Sequence, residues 1–396
     1  MPLRLPVLLV GDSKLGGISQ TISSFESLKI RGYDVETVVL FEEDKYQNHR
    51  YLADYFGQQH DIPVRTVPEP PTRAANATAD ATAMTRYYEN GSSAAELFET
   101  LDHLDTRHKA RLDRLDSMST TASQKIWYPF TQQKHLTPDK ITVIDSAQGD
   151  YFQTLAPPLH ASPAATTDTA PLLQPSFDGS ASWWTQGLGH GNPHLALTAA
   201  YAAGRYGHVM FAEAIHEPAL ALAETLLAGM GNSRLTRAFF SDNGSTGTEV
   251  AVKMALRAAR RRYGWHASEK LCILGLQGSY HGDTIGAMDC SEPCVYNQEV
   301  EWYEGKGMWL PYPTVLCVNG QWRVEAPDDM RPAEGPDSFS SLSAIFDVES
   351  REARGEGKIY QDFILSALIK GVGRAMKFGA LMMEPIVLGA GGMQLV

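Results

Sequence analysis

The sequence predicts an α/β fold with a mostly parallel sheet, and it does so in two places. Near the start, segments 5–10 and 35–40 read as short buried strands around a helical stretch at about 19–31, a β-α-β pattern. Further on, helical patterns at 217–229 and 246–262 alternate with strand patterns at 237–241, 270–275 and 379–384. The turns after two of those strands, at Asn243-Gly244-Ser245 and Gly278-Ser279, would lie at the carboxyl edge of the sheet, where ligands bind in such folds.

The first unit opens with "GDSKLGGIS" at 11–19, following the run Leu5–Val10. Gly11 and Gly16 have the spacing of a nucleotide-binding P-loop, but Gly17 and Ile18 stand where that loop needs a lysine and then a hydroxyl. The residues leave two readings open: a phosphate cradle without its lysine, or a loop built for a different anion. "VPEPP" at 67–71 and "RAANATADATA" at 73–83 read as loop or linker. Leu97, Leu101, Leu104, Leu112 and Leu115 then recur at helical steps. This predicts a connecting helix packed on its neighbour, since the pattern is too short for a coiled coil. A second unit is expected to open near Lys125, and "LAPPLHASPAATTDTAPLLQP" at 155–175 reads as an inserted loop. No fixed-period repeat is present.

Bulk properties narrow the function classes. A formal net charge of -12 over 396 residues argues against nucleic acid or an anionic membrane as the main partner. No apolar run is long enough to span a bilayer. Arg257, Arg260, Arg261 and Arg262 close a predicted helix, where cations complement the helix dipole. Four cysteines do not make a disulfide framework, so reduced thiols are expected; Cys290 and Cys294 alone do not indicate a metal. Met1 precedes a core strand almost directly and no Arg-rich leader is seen. The expectation is a cytosolic protein or a missing beginning.

Two segments carry candidate chemistry. In "AFFSDNGSTGTEVAVKMALRAARRR" a strand pattern ends at Ser241-Asp242, a turn follows and a helix begins. Free N–H groups, a flexible glycine and the Ser245 hydroxyl suit a phosphate. An ordinary N-cap explains the same residues. "KLCILGLQGSYHGDTIGAMD" then places an aromatic, Tyr280, beside that cradle, as a flat phosphorylated cofactor would need. His281 by itself reads as a hydrogen-bonded structural histidine.

Five ordered motifs make the resemblance specific: "IWYPFT" (126–131), "SWWTQG" (182–187), "SDNGSTGTEVAVKMA" (241–255), "YHGDTIGAM" (280–288) and "EPIVLGAGGM" (384–393). From about residue 123 onward the chain resembles the class III aminotransferases that use pyridoxal phosphate (PLP). Within them it resembles the 7,8-diaminopelargonate aminotransferases of biotin synthesis. The resemblance implies the large domain of the fold type I PLP-dependent transferases, incomplete here, and a homodimer. By position, Gly244 and Ser245 would hold the cofactor phosphate, Tyr280 would stack on the pyridine ring, Asp283 would support that side, and Glu384 would lie near the cofactor. Trp183, Trp184 and the segment containing Phe130 would line the substrate pocket. Phe130 stands where bacterial relatives have a tyrosine, so a hydroxyl is lost there. The paired tryptophans also suit a packed aromatic pair, and the two roles are compatible.

The opening segment resembles the later part of dethiobiotin synthetases, P-loop-type α/β enzymes that use ATP and Mg and are fused ahead of the aminotransferase in plants and fungi. The resemblance answers the question of the loop: Gly16, Gly17, Ile18 and Ser19 would receive a substrate carboxylate, for which backbone amides suffice. The implied division is 1–72 synthetase-like, 73–122 linker and connecting helix, and 123–396 aminotransferase. The implied substrates are 8-amino-7-oxononanoate, S-adenosylmethionine and 7,8-diaminononanoate. The family's Schiff-base lysine is expected beyond "GAGGMQLV", so Lys306, Lys358, Lys370 and Lys377 are not assigned that role, and no catalytic residue is assigned. The synthetase P-loop is likewise expected outside this stretch. The expectation is therefore a fragment of a bifunctional enzyme, mitochondrial like its fused relatives, with the cytosol as the alternative. Other readings are a non-catalytic product and a transaminase with another acceptor, such as an ornithine-type substrate.

Overall fold

The computed structural model describes residues 5–91, 95–156, 172–209, 212–330, 338–390 and 392–394. The chain divides into two compact units, Met1–Ala212 and Glu213–Val396. The sequence-derived boundaries near 72 and 122 fall inside the first.

The first unit begins with the expected β-α-β pattern. Strands β1 (Val7–Val10), β2 (Val35–Phe41) and β3 (Val64–Val67) pair in parallel in the order β1-β2-β3, with helices α1 (Gly17–Ile30) and α2 (Asn48–His60) between them. The central strand β2 is buried at five of its seven residues, which explains the apolar run at 38–40. Phe25, Val38, Leu40, Leu52, Phe56 and Ile62 close the core, and Phe25 meets Phe56 edge to face at 5.0 Å between ring centres.

The Ala/Thr-rich tract expected to be a linker is instead helix α3 (Ala77–Gly91). Alanine is the best helix former, and Asn76 caps the helix by accepting from Ala79 N at 2.9 Å. Among the described residues none of its side chains is buried, and propensity and capping are supplemented by Tyr87, whose hydroxyl donates to Pro68 O at 2.7 Å. The leucine-spaced stretch is helix α4 (Ala95–Lys125). It is tied to the sheet of its own unit: Arg107 pairs with Glu36 at 2.6 Å and Arg65 with Glu99 at 2.5 Å. Further along, Arg111 reaches Asp145 at 2.6 Å. Beyond it, β4 (Ile144–Gln148), β5 (Tyr151–Leu155) and β6 (Leu173–Phe177) form an antiparallel sheet. Of the predicted inserted loop at 155–175, residues 157–171 lie outside the described residues, while Leu155 ends β5 and residues 173–175 belong to β6. A short turn, α5 (Ala181–Trp184), and helix α6 (Pro193–Tyr206) complete the unit.

In the second unit the predicted helices appear as α7 (Glu217–Gly229) and α8 (Gly244–Tyr263). Strand β7 (Leu271–Leu276) leads through α9 (Ile285–Met288) to β8 (Gly307–Leu310). Hairpin β9 (Thr314–Val318) and β10 (Gln321–Glu325) turns at Asn319-Gly320, both with positive φ. Helices α10 (Leu342–Ile345), α11 (Val348–Ala353) and α12 (Glu356–Gly373) precede β11 (Lys377–Leu381), and a small ladder joins β12 (Val387–Leu388) to β13 (Met393–Gln394). The sheet is parallel, in the order β11-β7-β8, and α8 packs on it through Val252 and Leu256 against Ile273, Ala380 and Met382. The predicted strand at 237–241 is not formed: among the described residues it has no ladder partner, and Phe239 and Phe240 are exposed. A β-rich composition makes a strand only where a neighbouring edge accepts its hydrogen bonds.

Candidate functional site

The second unit gathers its predicted site residues at one edge of the parallel sheet. Asn243 is extended and caps α8, its side chain accepting from Thr246 N at 3.0 Å. That leaves Gly244 and Ser245 to open the helix. Ser245 Oγ lies 2.8 Å from Thr284 Oγ1 and accepts from Thr284 N at 3.0 Å. The contact joins the first turn of α8 to the loop leaving β7. The fit is close: a Cβ on Gly282 would stand 2.3 Å from Ser245 Oγ, and Gly282 has φ 132°. Only glycine satisfies both demands.

Tyr280 and Asp283 come from the same loop. The Tyr280 hydroxyl donates to Asp283 Oδ2 at 2.8 Å, and burial, with that bond adding to it, pushes the phenol up to about 12. Glu384, just past the carboxyl end of β11, accepts from Tyr280 N at 2.9 Å and from Gly389 N at 2.7 Å. Both of its oxygens are engaged in fixing backbone. Beside them, Ser279 Oγ and His281 Nε2 are buried polar atoms lacking a hydrogen-bond partner among the described residues. Burial holds the His281 imidazole below its ordinary value, against the pull of Glu384. The sequence reading of His281 as a satisfied structural histidine is thus corrected at Nε2. Unpaired buried groups of this kind call for an explanation, and a polar ligand at the site is one.

In the first unit, Phe130 and Trp183 meet at 6.0 Å between ring centres, although 53 residues separate them. Both, with Trp184, are exposed. Their backbone is unusual: Phe130 has φ 52°, and Ala181, Ser182, Trp183 and Trp184 have φ of 45, 47, 57 and 69°. The α5 turn therefore winds left-handed, which costs about 1–2 kcal/mol per non-glycine residue. Asp178, buried, accepts from Ser180 Oγ at 3.1 Å, Ser182 Oγ at 2.8 Å and His190 Nε2 at 2.9 Å. His190 first, then the Ser182 bonds, hold its carboxyl well below the usual carboxylate range.

The opening loop closes on α1. Gly16, in the left-handed region at φ 87°, precedes the helix, and Gly17, Ile18 and Ser19 form its first turn. Asn48 Nδ2 donates to the carbonyls of Asp12 at 3.0 Å and Lys14 at 2.8 Å, fixing the loop. A Cβ on Gly17 would fall 2.0 Å from Asp12 O. A hollow of about 550 Å³ is lined by Gly16, Ile18, Ser19, Tyr46 and Asn48, among others. Lys14 is turned to Glu69 at 2.6 Å.

Residues 175–334 match the family model described as aminotransferase class-III. This stretch belongs to the class-III aminotransferases. Over 400 residues the chain is 54% identical to a bifunctional dethiobiotin synthetase/adenosylmethionine-8-amino-7-oxononanoate aminotransferase of Emericella nidulans, covering 99% of this chain and 50% of that protein. It is 39% identical to a bifunctional dethiobiotin synthetase/7,8-diamino-pelargonic acid aminotransferase, mitochondrial, of Arabidopsis thaliana, covering 100% of this chain and 46% of that protein. An adenosylmethionine-8-amino-7-oxononanoate aminotransferase of Synechococcus elongatus is 34% identical over 68% of this chain and 50% of its own length. The chain spans about half the length of the curated relatives it matches.

Class-III aminotransferases use PLP, and the edge built by α8 and the β7 loop fits a phosphate: a helix start, the Ser245 hydroxyl, and unpaired Ser279 Oγ and His281 Nε2. Sequence reasoning missed Thr284 as the partner of Ser245, although it directly follows the "YHGD" it singled out. It also missed Asp178 and His190, whose only signal is their position around the tryptophan pair. All four cysteines are free. Among the described residues no helix is long and apolar enough to cross a membrane.

Proposed function

We propose that this chain is part of a bifunctional enzyme of biotin synthesis, and that its second unit holds PLP for transamination of 8-amino-7-oxononanoate to 7,8-diaminononanoate, with S-adenosylmethionine as donor. When bound, PLP supplies the electron sink for moving the amino group. Gly244 and Ser245 receive its phosphate. Tyr280 covers the ring, with Asp283 fixing the phenol and Glu384 fixing the Tyr280 backbone. Phe130, Trp183 and Trp184 supply an aromatic wall for the acceptor's aliphatic chain. The opening unit takes a substrate carboxylate on the amides of Gly16, Gly17, Ile18 and Ser19, as part of ATP- and Mg-dependent dethiobiotin synthesis. A homodimer completes the proposal, together with a mitochondrial location, which the name of the Arabidopsis relative states for that protein.

The single observation carrying the cofactor reading is the Ser245–Thr284 pair, which places the start of α8 against the Tyr280–Asp283 loop. The test is a PLP titration of the chain, followed by tryptophan fluorescence quenching with inorganic phosphate as competitor. Saturable binding that phosphate displaces, weakened about tenfold by Ser245→Ala, is expected, because one hydrogen bond to a charged group contributes about 1.5 kcal/mol. Binding unchanged by Ser245→Ala would remove the phosphate assignment.

A further inference from the structure

A run of four left-handed non-glycine residues does not persist unless its surroundings over-determine it. The α5 turn is held partly from within: Trp184 N donates to Ser180 O at 3.0 Å, and Thr185 Oγ1 to Ser182 O at 2.8 Å. What fixes its hand lies outside it. Asp178 sits just before the turn, its side chain only 5% exposed, and takes donors from Ser180, which precedes the turn, and Ser182 within it, one on each oxygen. Its backbone carbonyl also accepts from Ala181 N at 3.2 Å. His190 supplies the remaining donor and is itself immobilised: its N–H and C=O pair with Gly149 at 2.8 and 2.9 Å, and its ring lies 5.0 Å from Phe152. Gly149 and Phe152 belong to the β4–β5 hairpin and its turn. A continuous chain of contacts therefore runs from that hairpin through His190 and Asp178 to the turn that presents Trp183 to Phe130.

We infer that Asp178 is the positioning residue of the tryptophan turn, with His190 anchoring it to the β4–β5 hairpin, so that this pair sets the aromatic wall that selects the amino acceptor. The part concerning the acceptor rests on the pocket role proposed for Trp183 and Trp184; the part concerning the turn does not. Charge matters here because a carboxylate accepts at both oxygens, whereas an amide offers one acceptor and must meet His190 with its other end. Asp178 touches no reacting atom in this scheme and acts only through the tryptophans.

The test uses the whole chain and its near-ultraviolet circular dichroism. The chain has 7 tryptophans, so the contribution of the turn is isolated as the signal lost in Trp183→Phe/Trp184→Phe. Asp178→Ala is expected to lose that same signal with unchanged far-ultraviolet circular dichroism, and Asp178→Asn to recover part of it. Ser182→Ala, which removes one bond and no buried charge, is expected to lose a smaller share, and it decides the matter if Asp178→Ala does not fold. The inference is overturned if Asp178→Ala, or Ser182→Ala in its place, leaves the tryptophan signal intact. Titration with 8-amino-7-oxononanoate separates the two parts: binding about tenfold weaker in Asp178→Ala supports both. Equal binding with a lost tryptophan signal upholds the positioning role and removes the pocket reading alone.

Discussion

Two helix starts in this molecule are proposed to hold an anion, and they are built by different means. Helix α1 opens at Gly17 after a left-handed Gly16 and has no side-chain cap. Helix α8 opens at Gly244 after Asn243, whose side chain does cap it, and then presents a hydroxyl. The first is a backbone cradle pressed against its own loop, with Asp12 O where a Gly17 methyl would need to be. The second is open at its glycine: among the described residues no atom beyond its chain neighbours and its own helical turn lies within 4 Å of a Gly244 Cβ, and the site is closed instead by Ser245 against the loop of another strand. A carboxylate needs only amides and a dipole, whereas a phosphate with three acceptor oxygens also uses side-chain donors. The comparison teaches that glycine at the start of a helix is sterically required in one case, at Gly17, and free of that requirement in the other, at Gly244, which leaves room for the proposed ligand role.

The largest effect expected from breaking this comparison is at Gly17. Gly17→Ala puts a methyl 2.0 Å from Asp12 O and 2.9 Å from Asn48 Nδ2. Backbone cannot yield as a side-chain tip does, so the loop must move and with it both Asn48 bonds. A loss of about 3 kcal/mol or more is expected for the first unit, read as a lower urea midpoint for its transition. A midpoint within experimental error of the parent would show that the cradle is not pressed as described.

Gly282→Ala comes next. Its methyl would meet Ser245 Oγ at 2.3 Å and Ser245 Cα at 2.8 Å, from a residue whose φ of 132° already disfavours a side chain. The Ser245–Thr284 bonds should break, with about 2–3 kcal/mol lost from the second unit and PLP binding lost with it. Thermal unfolding and the PLP titration read the two losses on one sample. Retained PLP binding in a destabilised chain would separate the fold of the loop from the cradle.

The parts of the molecule that were legible beforehand are those written locally. Val7–Val10 and Val35–Phe41 are bounded by turn residues and flank an amphipathic stretch, so the first β-α-β unit could be read directly. Asn243-Gly244-Ser245 spells a helix start, and the order of five motifs identified the family. What escaped depends on distant partners or on ambiguous composition. Ala77–Gly91 has the Ala/Thr content of a linker and of a helix alike, and its Asn76 cap distinguishes them only once built. The expected strand at 237–241 failed because a ladder is a property of two segments. Thr284 meets Ser245 across 39 residues, and Asp178 meets His190 across 12, with no periodicity to announce either. Four consecutive left-handed residues without a glycine have no sequence signature at all.

The smallest expected change in stability is at Gly244, and it sharpens the comparison most. Among the described residues nothing beyond its own turn stands within 4 Å of its Cβ position, and its φ is not in the left-handed region. Gly244→Ala should therefore leave the unfolding midpoint of the second unit within about 0.5 kcal/mol, since a surface methyl at a helix start meets no atom and alanine favours the helix. Its effect on PLP should not be small. An anion seated on the amides of Gly244 and Ser245 approaches the backbone where the methyl would project, so affinity should fall by about tenfold, equivalent to about 1.4 kcal/mol. The same exchange at Gly17 costs the fold, whereas at Gly244 it should cost only the ligand. If Gly244→Ala instead binds PLP as the parent does, the amides opening α8 are not the phosphate's partners, and the glycine there reflects capping alone.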